Sequence, residues 1–258
     1  IQSNNFVIKD TLNSNFRTLI KNVNTKGQNS TIYKDKTQSE ILTNFLFDIN
    51  LPLKKSEEKY TKFLTPRLSL RHSPNNTKNI QSLDRKLNID NVFSLNRIGT
   101  DDDIEGGTSI AVGSEYLIKN KDEKDIFSLN LATVFREEEN KNLPTNNTLR
   151  NSQSDLVGNL IFSGIDKWNI EYNFSLDNDL STTNLHLLKN TFKVNNFVNT
   201  FTFYEENNLI GDKSYYENEF KYNFNQNNSL SFKTRNNKKD NLTEFYNLVY
   251  EYKNDCLT

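Results

Sequence analysis

Apolar and polar residues alternate over long stretches of this chain. In residues 170–177 every second side chain is apolar and its neighbours are polar. Because successive side chains of a β-strand point to opposite faces, this run predicts a strand with one apolar and one polar face. The same alternation recurs in residues 41–51, 127–135, 220–224 and 246–252. The pattern therefore predicts an all-β protein.

Polar turn-forming clusters separate these runs. Asn-, Lys- and Asp-rich clusters occupy residues 225–228 and 236–241, and longer polar stretches occupy 73–90 and 137–154. Short turns alternating with long loops are typical of an outer-membrane barrel, and at about 20 residues for a strand and its turn the chain holds roughly 11–13 strands. Pro66 falls within an alternating run, where we expect a bulge or a weakly paired edge.

Composition bears on which face meets water. The hydrophobic fraction is 34%, below the roughly 45–50% of a typical globular domain. Frequent aromatic residues and a net charge of -1 argue against disorder. The polar positions Glu171, Asn173 and Asp177 are predicted to face a water-filled lumen, and the apolar positions to face lipid. A soluble β-sandwich stays open as an alternative. Five tyrosines near predicted strand ends suit the aromatic girdles of a barrel: Tyr172, Tyr204, Tyr215, Tyr216 and Tyr252.

The charged and nucleophilic residues do not form a recognisable reactive site. The 32 basic and 33 acidic side chains leave no basic stripe, so nucleic-acid binding is not expected. His72 and His186 lack metal-ligand spacing, and no nucleophile motif is present. The acidic run 101–105 lacks the spacing of a calcium loop and is expected to be a solvated turn. We predict no enzyme, no catalytic or metal residues and no cofactor.

Two features bear on the extent of the chain. No run of about 18 apolar residues predicts a transmembrane helix, although that test does not detect transmembrane strands. The chain starts at Ile1, lacks methionine and shows no signal-peptide pattern, so we interpret it as an internal fragment. The single cysteine, Cys256, is either an incidental buried thiol or the partner of a cysteine outside this sequence.

Three segments resemble the C-terminal barrel domain of the LptD family of LPS-assembly proteins. Residues 63–74, Phe-Leu-Thr-Pro-Arg-Leu-Ser-Leu-Arg-His-Ser-Pro, are similar to a proline-containing strand that ends in a short "SP" turn. The most specific segment is 91–107, which resembles the family's "lFs.nR..g.D..egg" stretch and leads into a strand at 108–118. Residues 244–257 are similar to the late strand that ends at the family's C-terminal cysteine. Many members carry a cysteine pair there, whereas this chain has Cys256 alone.

The resemblance implies a fold, a location and partners. Residues 1–258 would be part of an antiparallel transmembrane β-barrel, with the N-terminal periplasmic domain and the final strands absent. The complete protein would insert lipopolysaccharide into the outer leaflet of a Gram-negative outer membrane. Its partners would be lipopolysaccharide, an LptE-like plug lipoprotein, periplasmic LPS bridge proteins and outer-membrane lipid. The rival functions are a porin-like passive diffusion barrel and a soluble β-rich surface adhesin.

Residues 91–107 would form a plug-like loop. Arg97 is the one strong cation in the segment, which also holds four carboxylates: Asp101, Asp102, Asp103 and Glu105. We expect Arg97 to pair with one of them inside the lumen, while Gly106 and Gly107 permit the reversal into the next strand. The alternative is an external loop without fixed structure. The resemblance further implies that Cys256 forms a disulfide with the N-terminal region, which the oxidising periplasm would permit.

Overall fold

The computed structural model describes residues 2, 6–8, 11–30, 34–207 and 213–253, and they form one large antiparallel sheet. The strands are β1 (Phe6–Ile8), β2 (Leu12–Thr25), β3 (Gln38–Asn50), β4 (Leu53–Ser56), β5 (Tyr60–Ser73), β6 (Gly107–Asn120), β7 (Asp125–Arg136), β8 (Leu156–Phe162), β9 (Trp168–Leu176), β10 (Thr183–Val194), β11 (Phe197–Glu206), β12 (Ser214–Asn223), β13 (Asn228–Asn237) and β14 (Leu242–Tyr252). Within these ranges the only helical element is a single 3-10 turn at Thr148–Arg150. The predicted all-β class is confirmed.

Each strand pairs with its neighbour in sequence. The order is β1-β2-β3-β5 and then consecutively to β14, with β4 paired to β5 beside this path. The path holds 13 strands, at the top of the predicted range. In the described residues β1 and β14 do not pair with each other, so the sheet is open. An open sheet of this size is consistent with part of a barrel.

The connections differ in length at the two ends of the sheet. At one end lie the long connections 74–106 and 137–155, here named the β5–β6 segment and the β7–β8 loop. At the other end the turns are short, at residues 121–124, 163–167, 195–196 and 224–227. The sequence predicted loops at 73–90 and 91–107 separately, whereas the structure joins them in one connection. In outer-membrane barrels the short turns face the periplasm.

The two faces of the sheet differ in chemistry. The β5–β6 segment packs on one face, named here the covered face, which buries polar side chains such as Asp48, Ser69 and Arg71. The opposite bare face carries exposed large hydrophobic side chains, among them Phe47, Leu68, Leu70, Ile110, Val112, Phe135, Phe220 and Phe232. Water-soluble proteins bury apolar side chains and expose polar ones. The bare face departs from this rule, which suits lipid surroundings for that face.

The register explains how β5 accommodates Pro66. On one side Pro66 is opposite Ser114 of β6. On the other side it faces the gap between β3, which ends at Asn50, and β4, which begins at Leu53. Its carbonyl accepts a hydrogen bond from the Leu51 backbone at 3.0 Å. The N–H and C=O of one residue in an antiparallel strand point to the same neighbouring strand. The backbone N–H that Pro66 lacks would therefore have pointed into this gap.

The apolar core lies between the covered face and the two long connections. Its main cluster joins strand residues to residues of the β5–β6 segment and the β7–β8 loop: Ile80, Leu87, Val92, Ile98, Ala111, Ala132, Val134, Leu143, Leu149 and Val157. A smaller cluster packs Ile104 against Val23 and Leu42. These contacts hold the long connections against the sheet. In the described ranges, no helix is long and apolar enough to cross a membrane.

Candidate functional site

The β5–β6 segment extends over the covered face from β2 to β11. The Arg17 guanidinium donates to the carbonyl of Phe93 at 3.3 Å, and the Lys21 ammonium donates to the carbonyl of Thr100 at 2.6 Å. On the far side Lys86 forms an ion pair with Glu206 at the end of β11. Strands far apart along the sheet therefore contact the same 33-residue connection, residues 74–106.

Arg97 and Glu105 form a buried pair within this segment. The Arg97 Nε donates to Glu105 Oε2 at 2.8 Å, and a second guanidinium nitrogen donates to Oε1 at 2.6 Å. Such a two-point contact fixes both side chains more firmly than a single hydrogen bond. Arg97 also donates to Ser109 Oγ of β6 at 2.6 Å. The structure thus selects Glu105 from the four carboxylates and connects the pair to the sheet.

Two strand arginines complete a cluster around Glu105. The guanidinium of Arg71 on β5 lies 3.2 Å from Glu105 Oε1, and Arg71 also donates to the backbone carbonyl of Glu105. Arg136, the last residue of β7, donates to Glu105 Oε1 and to the carbonyl of Gly106, the latter at 2.6 Å. All four charged side chains are at least 98% buried. One carboxylate therefore neutralises part of the charge of three guanidiniums.

The electrostatics favour the ionised form of Glu105. Burial would raise the pKa of this carboxyl group, but the charges of Arg71, Arg97 and Arg136 lower it from 4.5 to about 2. Glu105 is therefore a carboxylate across the physiological range of pH. Sequence reasoning did not identify Arg71 and Arg136. The sequence did contain a feature that could have identified them, because both are charged residues on the polar face of strands in which apolar and polar residues alternate.

The other acidic candidates have different environments. Asp101 is exposed, as expected for a solvated turn. That expectation is wrong for Asp103 and Glu105, whose side chains are fully buried. Both oxygens of Asp103 accept from the Lys78 backbone N–H at 3.1 Å, and burial raises the pKa of this carboxyl group. The Lys78 ammonium donates to the carbonyl of Asp102 at 2.8 Å. The acidic run thus lies partly inside the molecule, because Lys78 and the backbone supply partners for it.

Gly106 and Gly107 lie where the β5–β6 segment enters β6. A Cβ on Gly106 would lie 2.1 Å from the backbone oxygen of Asn75, and Gly107 has φ of 84°. A side chain at the first position would clash, and one at the second would be strained. Both glycines therefore have a physical role in the reversal.

The three β9 candidates occupy two environments. Asn173 receives a hydrogen bond from Asn159 at 2.8 Å and donates to Glu171 at 3.0 Å, so these side chains share one face of β8 and β9. By the alternation of side chains along each strand, this face is the covered face. Asp177 lies beyond the end of β9, where its carboxylate accepts from the backbone of Ser181 at 2.8 Å. Asp177 therefore stabilises the turn after the strand.

Two of the tyrosines assigned to aromatic girdles lie on the covered face. Tyr204 donates to Glu206, which pairs with Lys86 of the β5–β6 segment, and the Tyr204 ring stacks on Tyr215 at 5.1 Å. The girdle assignment is wrong for this pair, because residue spacing alone did not reveal which alternate residues of β11 and β12 point to the bare face. The disulfide candidate Cys256 lies outside the described residues. In the described ranges no group of three or more potential metal ligands is found.

Among curated proteins, none matches this chain. One solved structure, described as "Asymmetric conductivity of engineered proteins", is similar at 11% identity with a TM-score of 0.35, covering 94% of this chain and 99% of that one. The family model of LptD, "LPS transport system D", matches residues 17–227. That family comprises outer-membrane transport and assembly proteins and is not an enzyme family. Because its model matches most of the chain, this protein belongs to the LptD family.

Proposed function

We propose that the described sheet is part of an outer-membrane barrel that inserts lipopolysaccharide into the outer leaflet of a Gram-negative envelope. The bare face would contact lipid acyl chains, and the covered face would line a water-filled lumen. Transport on this account needs no covalent chemistry. The protein provides a polar path for sugars and an apolar exterior for the membrane.

The observation that carries the proposal is the reversed distribution of side chains on the sheet. Phe47 and Leu70 face each other across the β3–β5 pair and are exposed, whereas the neighbouring Asp48 and Ser69 are buried. A soluble sheet with this arrangement would present a large apolar surface to water, which is unfavourable. Membership in the LptD family indicates that the transported molecule is LPS, since the family acts in LPS transport.

We propose that the β5–β6 segment is a plug in the lumen. Its support is the Arg97–Glu105 pair, the contacts of Arg71 and Arg136, and the span from β2 to β11. An LptE-like plug lipoprotein and periplasmic LPS bridge proteins are further proposed partners. Both come from family membership and not from contacts in this chain.

Depletion of the full-length protein in its own cells tests the proposed function. We expect newly made LPS to stop reaching the cell surface and to accumulate inside, as measured by the accessibility of LPS to a reagent that cannot cross the outer membrane. Re-expression of the full-length protein should restore surface delivery. Normal LPS delivery after depletion, with a change only in uptake of small solutes, would instead identify a passive diffusion pore.

A further inference from the structure

Three asparagines lie among the large hydrophobic side chains of the bare face. Asn199 on β11 is opposite Phe220 of β12, and Asn218 lies two residues before Phe220 on the same strand. Asn190 on β10 and Asn218 are both opposite Phe201 of β11. Opposite residues and alternate residues of neighbouring strands share a face. The three asparagines therefore form one cluster on the bare face, here named the amide patch: Asn190, Asn199 and Asn218.

The amide patch lies at mid-strand, where a transmembrane sheet crosses the centre of the bilayer. Transmembrane strands have about 9–11 residues. β12 has 10 residues, from Ser214 to Asn223, and Asn218 is near its middle. The register places Asn190 at the same level of the sheet, because both asparagines are opposite Phe201. The patch is therefore far from the headgroups at either end of the strands.

The neighbouring strands β7 and β8 have the opposite arrangement. Their mid-strand asparagines, Asn130 and Asn159, are opposite each other on the covered face. The adjacent bare-face positions hold Leu129 and Leu160, which are also opposite each other. Leucine suits contact with acyl chains, whereas an amide that faces acyl chains finds no hydrogen-bond partner there. Contact with lipid alone therefore does not account for the amide patch.

The amides of the patch have hydrogen-bonding capacity that the chain does not use. The Asn199 amide donates to Asn218 Oδ1 at 2.6 Å and to the carbonyl of Glu219 at 3.3 Å. Within the described residues, the amide N–H groups of Asn218 have no acceptor and Asn190 Oδ1 has no donor. Polar groups at membrane depth are normally satisfied by protein or by water in a cavity. The patch therefore calls for a partner that both donates and accepts hydrogen bonds.

We infer that the amide patch is the surface on which a second copy of this protein docks within the membrane. An asparagine amide carries donors and an acceptor, so two amide patches are complementary to each other. Contacts that use the same surface on both subunits are the commonest kind in symmetric dimers. All copies insert in the same direction, so a second copy presents its amides at the same depth of the bilayer. The inference goes beyond LPS transport and rests only on the proposed contact of the bare face with the membrane.

The charges of the surrounding strands favour a neutral partner of this kind. Glu217 of β12 forms ion pairs with Lys233 and Arg235 of β13, at 2.8 and 2.9 Å. These three residues alternate with Asn218 and Phe232, so they lie on the covered face. Two copies that meet through the amide patch therefore bring no like charges together. A partner recognised by its charge would find no counter-charge at this level of the bare face.

Photo-crosslinking in cells that make two differently tagged full-length copies tests the inference. We place p-benzoylphenylalanine at Phe201, between Asn190 and Asn218, and at Phe47 on the bare face of β3 as the control. We expect the crosslink that joins the two tags to be about tenfold stronger from position 201, a difference of about 1.4 kcal/mol. Equal yields at the two positions would overturn the inference. Adducts from position 201 with lipid alone, or with a different protein, would also overturn it.

Asn218→Leu tests the hydrogen bonds themselves. It removes the amide from both copies and leaves an apolar surface, so we expect the crosslink from position 201 to fall about tenfold. Asn218→Gln is the matched control, since it keeps an amide and should retain most of the crosslink. Asn190→Leu should cause the same loss while leaving the hydrogen bond between Asn199 and Asn218 in place. Unchanged yields in the two leucine variants would contradict the inference.

The variants are compared at equal abundance of folded protein, as measured by the heat-dependent mobility of the barrel in electrophoresis. Surface delivery of LPS is measured in the same cells. Normal delivery without a crosslink between copies refutes only the contact at the amide patch. The proposed function fails only if depletion of the protein leaves delivery intact.

Discussion

At the scale of single residues, Glu105 is the side chain on which the buried charge cluster depends. It is the common partner of Arg71, Arg97 and Arg136, and all four groups are excluded from water. Removing one member of a buried ion pair leaves an uncompensated charge. A neutral side chain at position 105 would leave three buried guanidiniums without a carboxylate.

We expect Glu105→Gln to destabilise the full-length protein by about 3–5 kcal/mol, because buried cations lose their counter-charge. The measurement is the free energy of unfolding in detergent, together with protease cleavage within residues 74–106. Asp101→Asn is the matched control, since Asp101 is an exposed carboxylate of the same segment. Equal stability of the two variants would show that the cluster does not anchor the segment.

The same carboxylate predicts a dependence on pH. The folded pKa of Glu105 is lowered from 4.5 to about 2, so between these values the unfolded chain binds more protons than the folded one. The contribution of Glu105 to stability should be fully present above about pH 5 and should decline as pH falls toward 2. Protease protection of residues 74–106, measured as a function of pH, tests this. The acid-dependent loss should be absent from Glu105→Gln.

Gly106 gives an independent test of the entry into β6. Gly106→Ala should cost roughly 1–3 kcal/mol, because its Cβ would clash with the Asn75 backbone and neither chain can move easily. Gly164→Ala is the control, since its new Cβ would meet mainly the Phe162 ring, which can rotate. Unfolding of both variants in detergent is the measurement. A cost at Gly164 equal to that at Gly106 would refute the role of the close approach.

At the scale of elements, alternation identified strands well and loops less well. The runs at 127–135 and 246–252 fall in β7 and β14, and the run at 41–51 falls in β3 except for its last residue, because a period of two is a local property of the backbone. The single connection 74–106 was not predictable as one unit, since its course depends on distant partners such as Lys21 and Glu206. The face of the sheet on which Tyr204 and Tyr215 lie also depends on strand register.

The candidate site was predictable only in part, for the same reason. Short separation and opposite charge predict that Arg97 pairs with one of four carboxylates in its segment, and the structure identifies Glu105 as the partner. The contributions of Arg71 and Arg136 require knowing that β5, β6 and β7 are adjacent in that register. A single sequence does not specify such long-range contacts.

The β5–β6 segment as an element carries the plug proposal. Arg97→Ala should loosen it and raise uptake of large antibiotics by cells, because Glu105 and Ser109 lose a partner each. Arg85→Ala is the control, as Arg85 is an exposed arginine of the same segment. Antibiotic susceptibility at equal protein abundance is the measurement. If Arg97→Ala leaves permeability unchanged, the segment does not close the lumen.

At the scale of the whole molecule, the likeness of residues 244–257 to the family's late strand motivates a prediction about Cys256. We expect Cys256 to form a disulfide with a cysteine in the N-terminal region of the full-length protein. The closed loop would span most of that protein, and for a loop so long the chain-entropy stabilisation is roughly 4–5 kcal/mol. Electrophoresis with and without reductant, with Cys256→Ser as control, tests this. Identical mobility under both conditions, or a shift that persists in Cys256→Ser, would remove the disulfide.

The central claim is that one face of the entire sheet meets lipid and the other meets water. Cysteines placed one at a time at adjacent positions of three strands test it most directly in native outer membranes: Leu64 and Thr65, Asn173 and Phe174, and Phe232 and Lys233. Each variant must contain no other reactive thiol. We predict that a water-soluble thiol reagent labels positions 65, 173 and 233, which are partly exposed on the covered face, and spares positions 64, 174 and 232. Equal labelling of both faces, or the reverse pattern, would contradict the account.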